Sequence, residues 1–452
     1  MIKTLLLLLL IPWLSNAQNT DSIFIKKIAN EVLTNGKAYD LLRQLTKTIG
    51  GRLTGSPQMY QAENWGLQAM KNSGADAAYL QECNVPHWVR GIGDKVAITA
   101  VNNKKIIKQI DATALGNSTG GNVNAEIIAI ENFKELEKRK DEVKGKIVFY
   151  TAGFNSTNIR PTKSYGEAGI YRRTGASKAA KFGAVGIIIR SLTEATDNHP
   201  HTGTMTYNDS FPKIPAVALG LQDADYIAAL TKKSTVKLSI STHGKMLADT
   251  IGHNVVAELI GTDFPDEFIT IGGHLDSWDL AEGAHDDGAG VVHTIEVLRT
   301  LKALGYQPKH SIRFVLFANE ENGLRGAEKY AAIAKEKNEK HLFALESDAG
   351  GFSPRGFGFT MSAAQLQKIQ AWLPLLKPYG TEDLSAGGGG ADIGPLNKIF
   401  GTPIAGLSPD SQRYFDVHHA KTDVFENVHK RELLLGAVNM TALIFLIDKY
   451  GL

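Results

Sequence analysis

The chain is nearly devoid of cysteine. Its single thiol, Cys83, excludes an intrachain disulfide, so stability must come from a packed core or a bound metal. A lone thiol of this kind reads as a small buried hydrophobe rather than a nucleophile. An excess of one charge is also missing, since 49 basic residues against 47 acidic ones leave a net +2. That balance gives no electrostatic ground for a nucleic acid or an anionic membrane as partner. After the N-terminus no stretch approaches the run of about 20 apolar residues that spans a bilayer, so no membrane span is expected. Internal repeats and long low-complexity stretches are absent, as are His-Glu-x-x-His and Gly-x-x-x-x-Gly-Lys. One Gly-x-Ser-x-Gly match exists, Gly116-Asn117-Ser118-Thr119-Gly120. A nucleophile elbow needs a strand before it and a helix after it. Here Gly121-Asn122-Val123 follows and a strand comes next, so the match is assigned to a loop.

What remains is an ordinary globular composition, 43% hydrophobic and 21% charged. A length of 452 residues favours two domains. Residues 1–17 read as an export signal. Lys3 gives the positive start, Leu5 to Ile11 the apolar core, and Ser15-Asn16-Ala17 a small-residue cleavage site. The mature chain is expected to begin near Gln18 and to be secreted, in a periplasmic or extracellular location. Asn117, Asn155, Asn208 and Asn439 each match Asn-x-Ser/Thr and matter only in a host that glycosylates.

Residues 19–75 look helical, broken by a loop at Thr48 to Pro57. From 115 to 248 the texture changes to short strand-like runs (Ile127 to Ile130, Lys146 to Tyr150, Val185 to Ile189, Pro215 to Leu219) joined by Gly, Asn, Ser and Thr-rich connections. This stretch is read as an inserted domain, leaving 18–114 and 249–452 as the host domain. In the C-terminal part, Phe268 to Ile271, Ile312 to Phe317 and Leu342 to Leu345 suit strands covered on both faces. Val291, Ile295, Leu298 and Leu301 form a helical stripe between the first two. Strand, helix, strand at this scale implies an α/β fold with a doubly wound, mostly parallel sheet. Ile404 to Leu407 could add a strand, and Glu432 to Tyr450 a closing helix.

Ligands of such sheets bind beyond the carboxyl ends of the strands, and there this chain places metal-binding groups. The first strand leads into Gly273-His274-Leu275-Asp276, the second into Asn319-Glu320-Glu321-Asn322, the third into Glu346-Ser347-Asp348. Asp286-Asp287-Gly288 opens the striped helix, where one Asp would suffice as a cap. Two beside His274 make a crowd of like charge that a cation would relieve. A late imidazole comes from Tyr414-Phe415-Asp416-Val417-His418-His419, with Asp423 beyond it. Mixed His and carboxylate ligands suit zinc, with manganese or cobalt as alternatives. Singly, Asp279, Glu282 and His285 read as exposed loop residues. His253, His293, His310 and His341 read as surface or packing histidines, and Glu346 as a buried, hydrogen-bonded carboxyl.

Together, Gly273-His274-Leu275-Asp276-Ser277-Trp278, Asp286-Asp287-Gly288, Glu320-Glu321, Glu346-Ser347-Asp348 and His419-x-x-x-Asp423 resemble the M28 family of zinc peptidases, within it the carboxypeptidase Q branch. Gly51-Arg52-Leu53-Thr54-Gly55-Ser56 is similar to that family's N-terminal loop. Pro200-His201-Thr202-Gly203 and Lys213-Ile214-Pro215 resemble its insert, a β-rich protease-associated (PA) domain. The resemblance implies two zinc ions per chain. His274 and Asp348 would hold one, Glu321 and His419 the other, and Asp286 would bridge them. It implies Glu320 as general base, Asp276 orienting the His274 ring, a cis Asp286-Asp287 bond, and Tyr414 as a donor to the oxyanion. His419 is preferred over His418 because Asp423 follows it at the family's four-residue spacing. The implied activity is exopeptidase cleavage of dipeptides or short peptides, with a homodimer as the implied assembly. Hydrolysis of another amide, or a silent scaffold role, are the alternatives. Gly387 to Gly390, with Ala391-Asp392 after it, is expected to line the pocket, because glycine lets backbone approach a ligand.

Overall fold

The computed structural model describes residues 20–452; the expected export signal at 1–17 lies outside the described residues. Three helices lead the chain: α1 over residues 20–35, α2 Ala38–Gln44 and α3 Pro57–Asn72. They match the helical reading of 19–75, and Ser56 caps α3 by accepting from the Met59 amide. Two eight-stranded sheets follow. The first is built from β1 Ala77–Val85, β2 Thr250–Leu259, β3 Phe264–His274, β4 His310–Phe317, β5 Lys340–Glu346, β6 Pro354–Thr360, β7 Asp383–Ala386 and β8 Ile404–Pro409. Its order is β1-β2-β4-β3-β5-β8-β6-β7. The four central strands, β4, β3, β5 and β8, run parallel. β2 pairs antiparallel with β4, and β6 with β8, so the sheet is mixed at its flanks.

The central strands read as continuous apolar runs because both their faces are covered. Phe314 and Leu316 of β4 pack with Val291, Ile295 and Leu298 of helix α4 (Ala289–Ala303). Val315 and Phe317, one residue out of phase, pack with Tyr330 and Ala331 of α5 (Arg325–Glu336). Helix α6 (Lys430–Tyr450) closes over α4 and is itself almost wholly buried. Among the described residues it is the one helix long and apolar enough to cross a membrane, but 83% of its apolar window is buried inside the protein. It also overturns one expectation. Asn439 lies in its core, donating to the Tyr379 and Leu435 carbonyls, so this sequence match presents no surface acceptor.

The second sheet is inserted between β1 and β2. Its central strands Gly121–Ile130, Ile147–Tyr150, Gly186–Arg190 and Ala216–Leu219 are parallel, and helices Pro161–Ala180 and Leu221–Thr231 lie against them. The sheet begins upstream of the boundary read at 115, because a hairpin of Lys95–Val101 and Lys104–Ile110 forms its edge. The edge strand Lys104–Ile110 is exposed along nearly its whole length and carries lysines, a pattern that protects an open edge and hides the strand from periodicity. Ser118 is buried in a loop, its hydroxyl accepting from the Ala216 amide and donating to the Thr119 carbonyl, with a strand following. It has the role of a structural hydroxyl, as the loop assignment requires.

Cys83 sits inside β1, buried, and burial pushes its thiol up to about 12. The thiolate is the reactive form, so at pH 8 the folded protein should resist a thiol-specific disulfide reagent and react at once when denatured. Rapid labelling of the native protein would show β1 to be open.

Candidate metal centre

The register of the parallel strands gathers the site. His274 ends β3 opposite Phe317 of β4, so that Glu320 and Glu321 follow just beyond the same edge. Gly272 stands opposite Glu346 of β5, which places Asp348 there as well. The loop before α4 brings Asp286 and Asp287, joined by a cis peptide bond. The short helix Tyr414–Val417 delivers His418 and His419.

The two aspartates separate by what they touch. Asp287 accepts from the amides of Gly290, at 2.8 Å, and His274, at 3.1 Å. It caps α4 and ties it to β3. Asp286 instead faces the imidazoles: Oδ1 lies 3.2 Å from His274 Nε2, and Oδ2 3.2 Å from His419 Nε2. Each ring holds its far nitrogen near a carbonyl, His274 Nδ1 on Asp276 O at 3.0 Å and His419 Nδ1 3.3 Å from Thr202 O, with Arg172 Nη1 a more distant neighbour of the latter at 3.5 Å. In neutral imidazole those nitrogens carry the hydrogen, which leaves both Nε2 lone pairs pointing at carboxylates. His274 Nε2 also has Asp348 Oδ1 at 3.5 Å, and His419 Nε2 has Glu321 Oε2 at 3.2 Å. Lone pair against lone pair is tolerable only with a cation between them, either a proton or a metal ion. Burial opposes a charged ring, yet the carboxylates of Asp286 and Asp348 for His274, and Glu321 and Asp286 for His419, hold both well above the ordinary histidine range. Asp286 Oδ2 and Glu321 Oε1 are buried with no hydrogen-bond partner among the described residues, as ligand atoms would be.

Metal-sized groupings form in two places: Asp286 with His418 and His419, and His274 with Asp287 and Asp348. Of the expected ligands, His274, Asp286, Asp348 and His419 fall within these groupings and Glu321 lies 3.2 Å from His419, while the groupings also take in Asp287 and His418, which are not among the expected five. His418 is there too, its ring stacked 3.6 Å from His419 and its Nε2 3.4 Å from Asp286 Oδ2. Glu320 stands beside them, its carboxyl raised well above the usual range by burial and by the charges of Asp348 and Glu321. Tyr414 is buried against Phe415 and His418, and burial with the charges of Asp286 and Asp348 keeps its hydroxyl protonated. Asp276 reaches His274 through its carbonyl, while its carboxylate lies 3.8 Å from the ring. That carboxylate instead accepts from the amides of Glu320 and Glu321, at 3.0 and 3.2 Å, and from the Thr54 hydroxyl. A small recess opens beside Asp286, Glu321 and His419, lined also by Trp278, Leu280, Ala281 and Ala420; the Gly387 to Gly390 segment, expected to line the pocket, is not part of its wall.

Several neighbours have partners that the sequence did not reveal. Asp423 accepts from the amides of His285 and Asp286, fixing the loop that carries Asp286; burial, then the charge of Asp286, raise it to about 7. His285 is not an exposed loop residue: it is buried, stacked 4.3 Å from Phe352, and bonded to Asn427 O and the Gly351 amide. Gly387 to Gly390 runs over Glu346, and a side chain at Gly390 would strike the Glu346 carboxyl. Below that strap Glu346 and Asp392 are buried carboxyls, both raised by burial and by neighbouring charge, Glu346 to about 8. Arg52, fully buried, donates to the carbonyls of Leu275, Glu282 and Gly283. It is a fixed cation beneath Asp276, Asp287, Glu321 and Asp423.

Buried imidazoles with bare nitrogens among carboxylates, at the carboxyl edge of a parallel sheet, define the site of a metal-dependent hydrolase. The chain belongs to Peptidase family M28, whose profile matches residues 254–444. It is similar to carboxypeptidase Q of Homo sapiens, 33% identical over 405 residues that cover 89% of this chain and 83% of that protein. A solved Peptidase M28 precursor from Shewanella amazonensis superposes with a TM-score of 0.89 at 31% identity, covering 95% of this chain and 97% of the other. A zinc aminopeptidase from Bacillus subtilis, at 19% identity and TM-score 0.64 over 90% of this chain and 94% of its own, has the same fold. The chain is therefore a metallopeptidase.

Arg52 should tolerate little change. Arg52→Leu strands three buried carbonyls and removes the cation under the carboxylates. An unfolding free energy lower by about 3–5 kcal/mol is expected in denaturant titration. Arg52→Lys should recover only part of this, lacking the forked donors; full recovery by lysine would show that charge alone matters.

Proposed function

We propose that this metallopeptidase is an exported two-zinc exopeptidase that hydrolyses dipeptides or short peptides. The observation that carries the reading is the pair of histidines, each with Nδ1 near a carbonyl and Nε2 aimed at two carboxylates. His274 and Asp348 would hold one zinc, Glu321 and His419 the other, with Asp286 between them. Zinc at such a site supplies Lewis acidity toward the carbonyl and an acidified water.

The chain's own groups do the rest. Glu320, its backbone pinned to Asp276, takes the proton of the attacking water and returns it to the leaving amine. Tyr414, held protonated, donates to the developing oxyanion. The second-sheet unit, which leaves the first sheet after β1 and returns at β2, is proposed to be a protease-associated insert reaching from the ribbon at Trp88–Val89 to Lys245–Met246.

A panel of dipeptides blocked at one end or the other tests the reading. Chelator-stripped protein should be inactive and zinc should restore it. Glu320→Ala should keep its zinc and lose about 10²–10⁴-fold in kcat. Unchanged turnover in that variant would remove Glu320 from the chemistry, and zinc-bound protein inert to every peptide would point to another amide.

A further inference from the structure

His419 differs from the other proposed ligands in how it is held. His274 belongs to a paired strand. Glu321 has its amide on Asp276, and Asp286 has its amide on Asp423. His419 follows a four-residue helix and adopts φ +62°, a left-handed conformation uncommon for non-glycine residues, so the position of its ring is set by what it touches. Those surroundings come from the inserted unit. The Thr202 amide donates to the His419 carbonyl at 2.9 Å, and Thr202 O stands at His419 Nδ1. His201 Nδ1 lies 2.7 Å from the His418 carbonyl. Gly203, at φ +129°, leaves the space between them open, since a Cβ there would come within 2.6 Å of His419 Nδ1 and 2.4 Å of Arg172.

The turn is also anchored on its own side. The His201 amide donates to Ser191 Oγ at 2.8 Å, the Thr202 hydroxyl to the Ala114 carbonyl at 2.9 Å, and the Gly116 amide to the Gly203 carbonyl at 3.0 Å. Gly116 in turn abuts the Trp278 ring, which walls the recess at the site.

We propose that the His201-Thr202-Gly203 turn is a positioning device for His419, making the inserted unit a structural part of the metal centre rather than an appendage. The proposal rests on His419 being a zinc ligand. A carbonyl on Nδ1 fixes the tautomer and aims Nε2 at the ion, and loss of such a partner costs about 10- to 100-fold in metal affinity or activity. The backbone bonds at Thr202 and His201 set where the ring stands, so they act on one of the two ions.

The test compares the zinc-loaded full chain with His201→Ala, His201→Asn and Gly203→Ala. After dialysis against a graded chelator, His201→Ala and Gly203→Ala should retain one zinc per chain where the unmodified protein retains two. Affinity for the lost ion should fall about 10- to 100-fold. kcat on a dipeptide should drop with KM little changed. His201→Asn, whose carboxamide can place a donor near the Nδ1 position, should restore the second zinc, which a merely structural loss would not predict. The metal-free forms should melt together. Two zincs and unmodified kcat in both His201→Ala and Gly203→Ala would overturn the proposal while leaving the metal centre standing. So would a His201→Ala defect that asparagine fails to rescue and that appears equally in the metal-free melt. Absence of zinc from the unmodified protein would overturn the metal-centre reading itself, and this inference with it.

Discussion

Carboxylates crowded where water cannot reach them are the condition to which the rest of this structure answers. An ionised carboxylate taken out of water is costly unless it is hydrogen-bonded, paired or bound to metal. The chain meets that cost by sorting its acids. Asp276, Asp287 and Asp423 each accept from two backbone amides, so they act as fixed points of the loops. Arg52 adds a buried positive charge below them, itself satisfied by carbonyls rather than by any one acid. Asp286, Glu321 and Asp348 are left facing imidazole nitrogens. The first set holds the loops, and the second faces the imidazoles as the proposed ligands.

That sorting depends on the sheet. Parallel strands with crossovers over both faces bring the carboxyl ends of β3, β4 and β5 to one edge in register, so His274, Glu320 and Glu321, and Asp348 converge without long loops. α4 starts at this edge, and its first turn takes Asp287 as cap. The buried core behind it, shared with α6, keeps that edge from shifting. The antiparallel flanks serve another purpose: β1 and β2 frame the point where the second sheet enters.

Much of this was legible because the chemistry sits at strand ends, where apolar runs stop abruptly in His, Glu and Asp. The striped helix was equally readable, since Val291, Ile295, Leu298 and Leu301 all face the core. Other features depend on partners remote in sequence. The Arg52 role needs three carbonyls from 275–283, and His285 is buried only because Phe352 and Asn427 fold over it. Asn439 carries a surface motif in a helix whose burial only the packing reveals. The Lys104–Ile110 strand lacks alternation because it is an open edge, so the upstream part of the second sheet was not legible. Adjacent histidines are a further limit, as composition cannot separate His418 from His419 and the two rings stack within reach of the same Asp286 oxygen.

The second sheet meets the first at His419, a proposed ligand carried neither by a strand nor by an amide-bound neighbour. A histidine on a strand inherits the rigidity of the ladder, and a carboxylate in a loop can be fixed through its neighbour's amide. His419 has neither, because its segment is a single helical turn followed by a left-handed residue. Precision there has to be supplied by contact from outside, and a turn anchored in a separate sheet supplies it at several atoms at once. Chain entry between β1 and β2 lets that sheet grow without interrupting the parallel centre. The same contact carries Gly116 onto Trp278, so the wall of the recess and the ligand behind it are set by one rigid neighbour. On this argument the two units cannot vary independently: a change that tilts the second sheet relative to the first must move His419 and Trp278 together, and with them the candidate metal site and the recess beside it.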